Sequence, residues 1–151
     1  MEPIMLAYIG AALMMVIPGI CSGIGFAMCG NATTGAVKKN PSGFGNCLIL
    51  SAVPSSNGLY GFIGFYLTIN AGFFGPEIGW FAASAVLAGG LILGLVAGIC
   101  CIKQADICAN GIVAIGQGQN VLGNTLILAA FPEFIAILSL LGVILINGAL
   151  A

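Results

Sequence analysis

A single carboxylate lies in the middle of an apolar run. Glu133 is part of the segment Leu126-Ile-Leu-Ala-Ala-Phe-Pro-Glu-Phe-Ile-Ala-Ile-Leu138. A charged side chain at the centre of a bilayer costs about 2.5–3.5 kcal/mol on the translocon insertion scale. A buried carboxylate must be protonated, paired or bound to a cation. The sequence therefore predicts that Glu133 is the working residue, and the alternative is a Glu that is protonated and tolerated between helices.

The composition places this carboxylate in a membrane protein. The chain has 151 residues, of which 60% are hydrophobic and 5% charged, and its mean hydropathy is +1.19. Soluble domains carry about 25% charged residues. No basic patch for nucleic acid is present, and the N-terminus lacks the positive region of a signal peptide. We expect an integral membrane protein whose first apolar segment is retained.

Four apolar spans are predicted, each long enough for a hydrocarbon core that needs about 20 helical residues. The third is expected to continue as helix past Lys103. The spans run roughly from Ile4 to Cys29, Cys47 to Phe74, Ile78 to Cys101 and Leu122 to Ile146.

Short polar connections link the spans, at 33–45, 73–79 and 115–120. The lysines of the chain, Lys38, Lys39 and Lys103, all fall on the side of the first and third connections. Cytoplasmic loops are enriched in lysine and arginine. The pattern predicts that the loops around Lys38 and Gln117 are cytoplasmic and that both termini face outward.

The chain also contains an internal repeat. The segment Leu48-Ile-Leu-Ser-Ala-Val-Pro-Ser-Ser matches Leu126-Ile-Leu-Ala-Ala-Phe-Pro-Glu-Phe at an offset of 78 residues. We expect an all-α protein of two tandem helical hairpins in the same orientation, residues 1–76 and 77–151. In this register Ser55 corresponds to Glu133, so the first hairpin has no mid-membrane carboxylate.

Glycines recur at four-residue spacing in the first helix of each predicted hairpin. They are Gly19 and Gly23 in the first, and Gly90, Gly94 and Gly98 in the second. Small residues on one face let helices approach closely in lipid. The pattern fits a tightly packed inner wall of many helices, or ordinary packing within one four-helix protomer.

Several polar residues are predicted at the depth of Glu133. Counted from the cytoplasmic turns, Glu133, Gln104 and the pair Ser56-Asn57 all lie about 13–16 residues deep. Tyr60 is one turn beyond that pair, so its hydroxyl can reach back. Each has an alternative: Gln104 as a solvated interfacial residue, the serines bonded to their own helix, and Tyr60 in an aromatic packing face.

These groups suggest a cation site. Pro54 lacks an N–H, which frees an upstream carbonyl, and the carbonyl of Val53 is a candidate ligand in this stretch. One carboxylate with neutral oxygens suits a monovalent cation, whereas calcium favours more carboxylates. The residues point to sodium or a proton, with sodium favoured.

The paired hairpins, glycine-rich first helices and single fourth-helix Glu resemble the duplicated proteolipid of V-type and A-type rotary ATPases. The stretch Pro54-Ser-Ser-Asn-Gly-Leu-Tyr-Gly-Phe62 is similar to the second-helix motif of sodium-binding bacterial members. Here Ser56-Asn57 stands where that motif has Thr-Gln. The resemblance implies that Glu133, Gln104, Ser56, Asn57 and the Val53 carbonyl bind Na⁺. It also implies that the Tyr60 hydroxyl locks the carboxylate.

The resemblance further implies a homo-oligomeric ring in a bacterial plasma membrane. An arginine of a stator subunit would discharge the carboxylate, and a central-stalk subunit would dock on the loops 38–43 and 116–120. An occupied, neutral site could then face lipid during rotation. The chain has no phosphate-binding loop, so ATP chemistry would occur on other subunits.

Three alternatives differ in function. The same rotor could carry protons. A small multidrug exporter also has four helices and one membrane Glu, but that Glu lies in the first helix and no tandem repeat is present. A structural channel former would tolerate loss of Glu133.

Overall fold

The computed structural model of the protein describes residues 2–151, which form five α-helices and, within that range, no β-strand. The helices are α1 (Pro3–Lys39), α2 (Phe44–Ala52), α3 (Ser55–Ile69), α4 (Trp80–Gly116) and α5 (Leu122–Leu150). A 3₁₀ turn, Pro41–Gly43, leads into α2. Because α2 and α3 together form one span, the described chain has four helical segments long and apolar enough to cross a membrane. The predicted all-α, four-span architecture is confirmed.

The helix ends differ from the prediction mainly at α1. We expected a polar connection from Thr33 to Gly45, but α1 continues as helix to Lys39. Lys38 and Lys39 lie in its last turn, where positive side chains interact favourably with the helix dipole. The side chain of Asn40 then donates to the Ile115 carbonyl at 2.9 Å, tying the end of α1 to the end of α4.

The other ends lie near their predicted positions. The expected continuation of α4 past Lys103 is confirmed, since α4 ends at Gly116. In the turn that follows, Gly118 has a φ of 86°, a backbone conformation that favours glycine. The second span ends at Ile69 rather than Phe74, and the side chain of the C-cap residue Asn70 donates to the Tyr66 carbonyl at 2.8 Å. The fourth span extends to Leu150.

Glycines bring α1 and α4 into close contact. A Cβ atom at Gly90 would collide with the backbone of Gly10, and one at Gly94 would approach the Leu13 carbonyl oxygen to 2.8 Å. The second glycine series therefore packs within the protomer. Gly19 and Gly23 have no atoms near the position of a Cβ, so on α1 this face remains open.

The core consists of two apolar clusters with a polar layer between them. One cluster includes Met14, Val86 and Leu93, and the other includes Leu50 and Ile112. The polar layer contains the side chains described below. On the outer surface, Phe131 and Phe134 of α5 are 65% and 61% exposed, so the carboxylate between them lies beside a surface suited to lipid.

Two prolines at corresponding positions shape the backbone of the polar layer. The second span is interrupted at Val53 and Pro54, between α2 and α3. By contrast, α5 continues as helix through Pro132. A proline at this position therefore does not by itself interrupt the helix.

Candidate ion-binding site

The carboxylate of Glu133 is held by two donors from two other helices. The Tyr60 hydroxyl of α3 donates to Oε1 at 2.7 Å. The Gln104 amide of α4 donates to Oε2 at 3.2 Å. Hydrogen bonds to an ionised acceptor are stronger than those between neutral groups. Both oxygens are therefore oriented by neutral side chains, and the carboxyl group is partly buried.

Gln104 and Asn57 extend this network into the protein interior. Both residues are 0% exposed, which excludes the alternative of Gln104 as a solvated interfacial residue. The Asn57 amide donates to Gln104 Oε1 at 2.8 Å. Gln104 Nε2 also donates to the Ala129 carbonyl at 3.0 Å. The chain of bonds fixes both amides, with their oxygens inside the polar layer.

Asn57 has one polar atom that the protein does not satisfy. Its Oδ1 is buried and has no hydrogen-bond partner among residues 2–151. Buried polar atoms in proteins are almost always paired, and an unpaired one costs about 1–3 kcal/mol. An oxygen in this state, close to a carboxylate network, is a free acceptor for a cation.

Ser56 and Val53 lie on the adjacent turn but bond to each other. The Ser56 hydroxyl donates to the Val53 carbonyl at 3.0 Å, and the Ser56 N–H approaches the same oxygen at 3.3 Å. Within the described residues neither of them bonds to Glu133. Ser55 is exposed and donates to the Ala52 carbonyl at 2.6 Å, as the local-bonding alternative for the serines predicts.

Other polar partners at this level were not predicted from the sequence. Ser22 of α1 and Cys101 of α4 both reach the Pro54 carbonyl, at 2.9 and 3.1 Å. Ala129 contributes through its backbone alone. Spacing along the sequence does not reveal contacts between residues on separate helices. Only Ser22, a polar residue within an otherwise apolar stretch of α1, could have been identified as a candidate from the sequence.

The charges near the site are few. The ion pair Lys103–Asp106 spans 3.7 Å, and its side chains are 70% and 45% exposed, so it belongs to the surface. Across the described residues no group of three or more His, Cys, Asp or Glu side chains converges. The site therefore offers one carboxylate and several neutral oxygens, a set that suits a proton or a single monovalent cation better than a divalent one.

Comparison with known proteins shows that two segments of the chain match one family. Residues 9–67 and 87–146 each match the family described as the C subunit of ATP synthase. The matched segments begin 78 residues apart, the offset of the internal repeat.

Two curated relatives match most of the chain. The A-type ATP synthase subunit K of Methanocaldococcus jannaschii is 33% identical over 145 residues, covering 96% of this chain. The V-type sodium ATPase subunit K of Enterococcus hirae is 32% identical over 136 residues, covering 87% of this chain. The matches span 63% of the first relative's length and 83% of the second's.

Proposed function

Because the chain belongs to the family of the ATP synthase C subunit, as a multi-pass membrane proteolipid with two copies of the family's hairpin, we propose that it is a rotor subunit of a V/A-type ATPase. In this role Glu133 binds Na⁺ reversibly at mid-membrane, and rotation couples ion movement to ATP hydrolysis or synthesis on other subunits. The family assignment disfavours the multidrug exporter and the structural channel former.

One observation carries the proposal: a carboxylate held by two neutral donors stands beside a buried oxygen that lacks a partner. Tyr60 and Gln104 orient Glu133. Asn57 Oδ1 is one of two buried side-chain oxygens without a partner among the described residues; the other, Asn147 Oδ1, lies outside this network. A cation bound between these oxygens would neutralise the carboxylate and supply the missing partner. An occupied site then carries no net charge, which lowers the cost of exposure to hydrocarbon.

The proposed ligands are Glu133, Gln104 Oε1, Asn57 Oδ1, the Ser56 hydroxyl and the Val53 carbonyl. Ser56 and Val53 share a turn with Asn57, and a small rotation of the Ser56 hydroxyl would turn its lone pairs toward an ion. Tyr60 is not a ligand in this scheme. Its hydroxyl holds one carboxylate oxygen and so limits the motion that release of the ion requires.

The remaining partners follow from the same proposal. Copies of the chain assemble as a ring, and lipid covers the surface around Phe131 and Phe134. A stator arginine displaces the ion, and a subunit of the central stalk binds the ends of the helices near Asn40 and Gln117. The location of these loops in the cytoplasm, the outward termini, the bacterial source and the division of the chain at residues 76 and 77 stay predictions.

Sodium is preferred to a proton for two reasons. A proton needs only the carboxylate and one acceptor, whereas this layer also contains buried amide oxygens and a carbonyl. In addition, the Enterococcus hirae relative is named a sodium ATPase subunit.

The experiment is labelling of Glu133 by a carbodiimide, which reacts with an accessible protonated carboxyl group. Membranes containing the assembled complex are titrated with NaCl, with KCl at the same ionic strength as the control. We expect sodium to slow labelling and potassium to have little effect. The Glu133→Gln variant should not be labelled, which verifies the site. If sodium gives no protection at any pH while labelling remains specific to Glu133, the carried ion is a proton and the sodium assignment is wrong.

A further inference from the structure

A side chain from another helix bridges the backbone of Pro54 and Gly58. In a regular helix the Gly58 N–H would donate to the Pro54 carbonyl. Here the Gly58 N–H donates to Ser22 Oγ at 2.8 Å, and the same Ser22 hydroxyl donates to the Pro54 carbonyl at 2.9 Å. The serine hydroxyl therefore takes the place of one helical hydrogen bond.

The starts of α4 and α5 show what is unusual here. At α4 the Ala83 N–H donates directly to the Gly79 carbonyl at 3.0 Å, and at α5 the Thr125 N–H donates to the Val121 carbonyl at 2.9 Å. The corresponding pair at the start of α3 is bridged instead. A side chain inserted into the helical ladder is a recognised cause of bending.

Additional contacts fix the bridge in place. Cys101 of α4 donates to the same Pro54 carbonyl at 3.1 Å and lies 3.6 Å from Ser22 Oγ. A Cβ at Gly58 would approach Ser22 Oγ to 3.0 Å, and one at Gly25 would approach the Pro54 ring to 3.0 Å. Glycines at these positions allow α1 to lie close enough for the hydroxyl to enter the ladder.

The opened turn contains the neutral ligands of the proposed site. Ser56 and Asn57 lie between the two bridged groups, and Val53 immediately precedes them. Val53 and Pro54 keep helical dihedral angles, so the bridge spaces two backbone groups without unwinding the chain. Without the hydroxyl, the position of Asn57 relative to Gln104 would no longer be held.

We propose that Ser22 is a positioning residue for ion binding, which holds the 53–58 turn open so that Val53, Ser56 and Asn57 present their oxygens to the cation. This inference rests on the proposed function. Ser22 does not touch the ion in this scheme and acts only through the backbone of α3.

The test measures the sodium concentration that halves carbodiimide labelling of Glu133 in membranes with the assembled complex. Ser22→Ala removes both hydrogen bonds of the bridge. We expect half-protection to require roughly three- to tenfold more sodium, which corresponds to the net worth of one hydrogen bond. The sodium concentration for half-maximal ATPase activity should rise similarly, while the maximal rate is retained. A merely structural defect would reduce the amount of assembled complex and the maximal rate instead.

Thr34→Ala is the matched control, because it removes a hydroxyl of the same helix that bonds only the Gly30 carbonyl. It should behave as wild type. Ser22→Thr retains the hydroxyl and should restore most of the affinity. If Ser22→Ala does not assemble, Cys101→Ala decides the question. This variant removes the weaker thiol donor to the Pro54 carbonyl. It should raise the sodium concentration for half-protection by roughly two- to threefold.

The outcomes separate this inference from the function on which it rests. If sodium protects the wild type, and Ser22→Ala, or Cys101→Ala in its place, has the wild-type half-protection concentration, the positioning role is wrong and the sodium site stands. If sodium fails to protect even the wild type, both are wrong.

Discussion

The two hairpins of this protein have the same arrangement of helices but contribute different polar groups to the candidate site. In the first, the outer span is broken at Val53 and Pro54, and the polar groups that follow are neutral. In the second, α5 continues through Pro132, and the residue after the proline is Glu133. A proline at this position is therefore not sufficient to break the span. The difference coincides with Ser22, which enters the ladder of α3, whereas Cys100 stands at the equivalent position, 78 residues later.

The comparison indicates how a duplicated unit can specialise. An open turn supplies backbone and side-chain oxygens, and a continuous helix supplies one charge. Neither hairpin contains a complete site, since Tyr60 and Asn57 come from the first and Gln104 and Glu133 from the second. If these residues bind the ion as proposed, its affinity is set at the interface between the hairpins.

The largest effect is expected from removing the charge of the second hairpin. Glu133→Gln keeps the shape but replaces one of the two acceptor oxygens with an NH₂ donor, and it cannot neutralise a cation. Sodium transport and its coupling to ATPase activity, measured in proteoliposomes, should fall to background. Glu77→Gln, which alters a carboxylate in the turn before α4, is the control and should transport normally. Retained sodium transport in Glu133→Gln would refute the role of this carboxylate.

Moving the charge to the first hairpin should not restore function. Ser55 corresponds to Glu133 in the repeat, but it is exposed and bonds its own helix. The double variant Ser55→Glu with Glu133→Gln should stay inactive in the same transport assay, because the new carboxylate would lie away from Tyr60 and Gln104. Recovery of transport would show that the hairpins are interchangeable.

Loss of the Tyr60 hydroxyl should weaken the link between the hairpins. Tyr60→Phe removes the 2.7 Å bond to Glu133, and a bond to a charged group contributes about 1.5–3 kcal/mol. We expect the sodium concentration for half-protection of Glu133 to rise by roughly ten- to a hundredfold. Tyr66→Phe is the matched control, since Tyr66 is 53% exposed, and it should leave sodium protection unchanged. Equal protection in the two variants would contradict the locking role.

The smallest effects should come from the prolines, and they should be unequal. Pro54→Ala restores an N–H within the broken span and should favour a closed turn. We expect the sodium concentration for half-protection of Glu133 to rise severalfold. Pro132→Ala lies in a helix that is already continuous and should change half-protection by less than about twofold, within the range of a weak local effect. The ratio of the two shifts, from sodium titrations on matched membranes, tests whether the break in the first hairpin matters.

The sequence predicted much of this arrangement because its strongest signals are local. Apolar runs identified the four spans, and the repeat identified the hairpins. Helical spacing placed Tyr60 one turn beyond Ser56 and Asn57. Gln104 and Glu133 were expected at one depth because helical rise per residue is constant.

The features that could not be predicted from the sequence depend on contacts between helices. The insertion of Ser22 between Pro54 and Gly58 requires the distance and rotation of α1 relative to α3. The continuity of α5 at Pro132 likewise depends on packing, since proline alone favours a break. The length of α1 was missed because its last turns are polar, and helix ends outside the membrane carry no hydropathy signal.

The lengths of the inner helices have a mechanical consequence. α1 and α4 contain 37 residues each, about 55 Å at 1.5 Å per residue, against a hydrocarbon core of about 30 Å. Both pass without interruption from the membrane to the ends joined by Asn40 and Ile115. In an assembled ring these ends would form a stiff collar above the bilayer. Torque applied to that collar would reach the depth of the carboxylate through unbroken rods, with no flexible joint in which twist could dissipate.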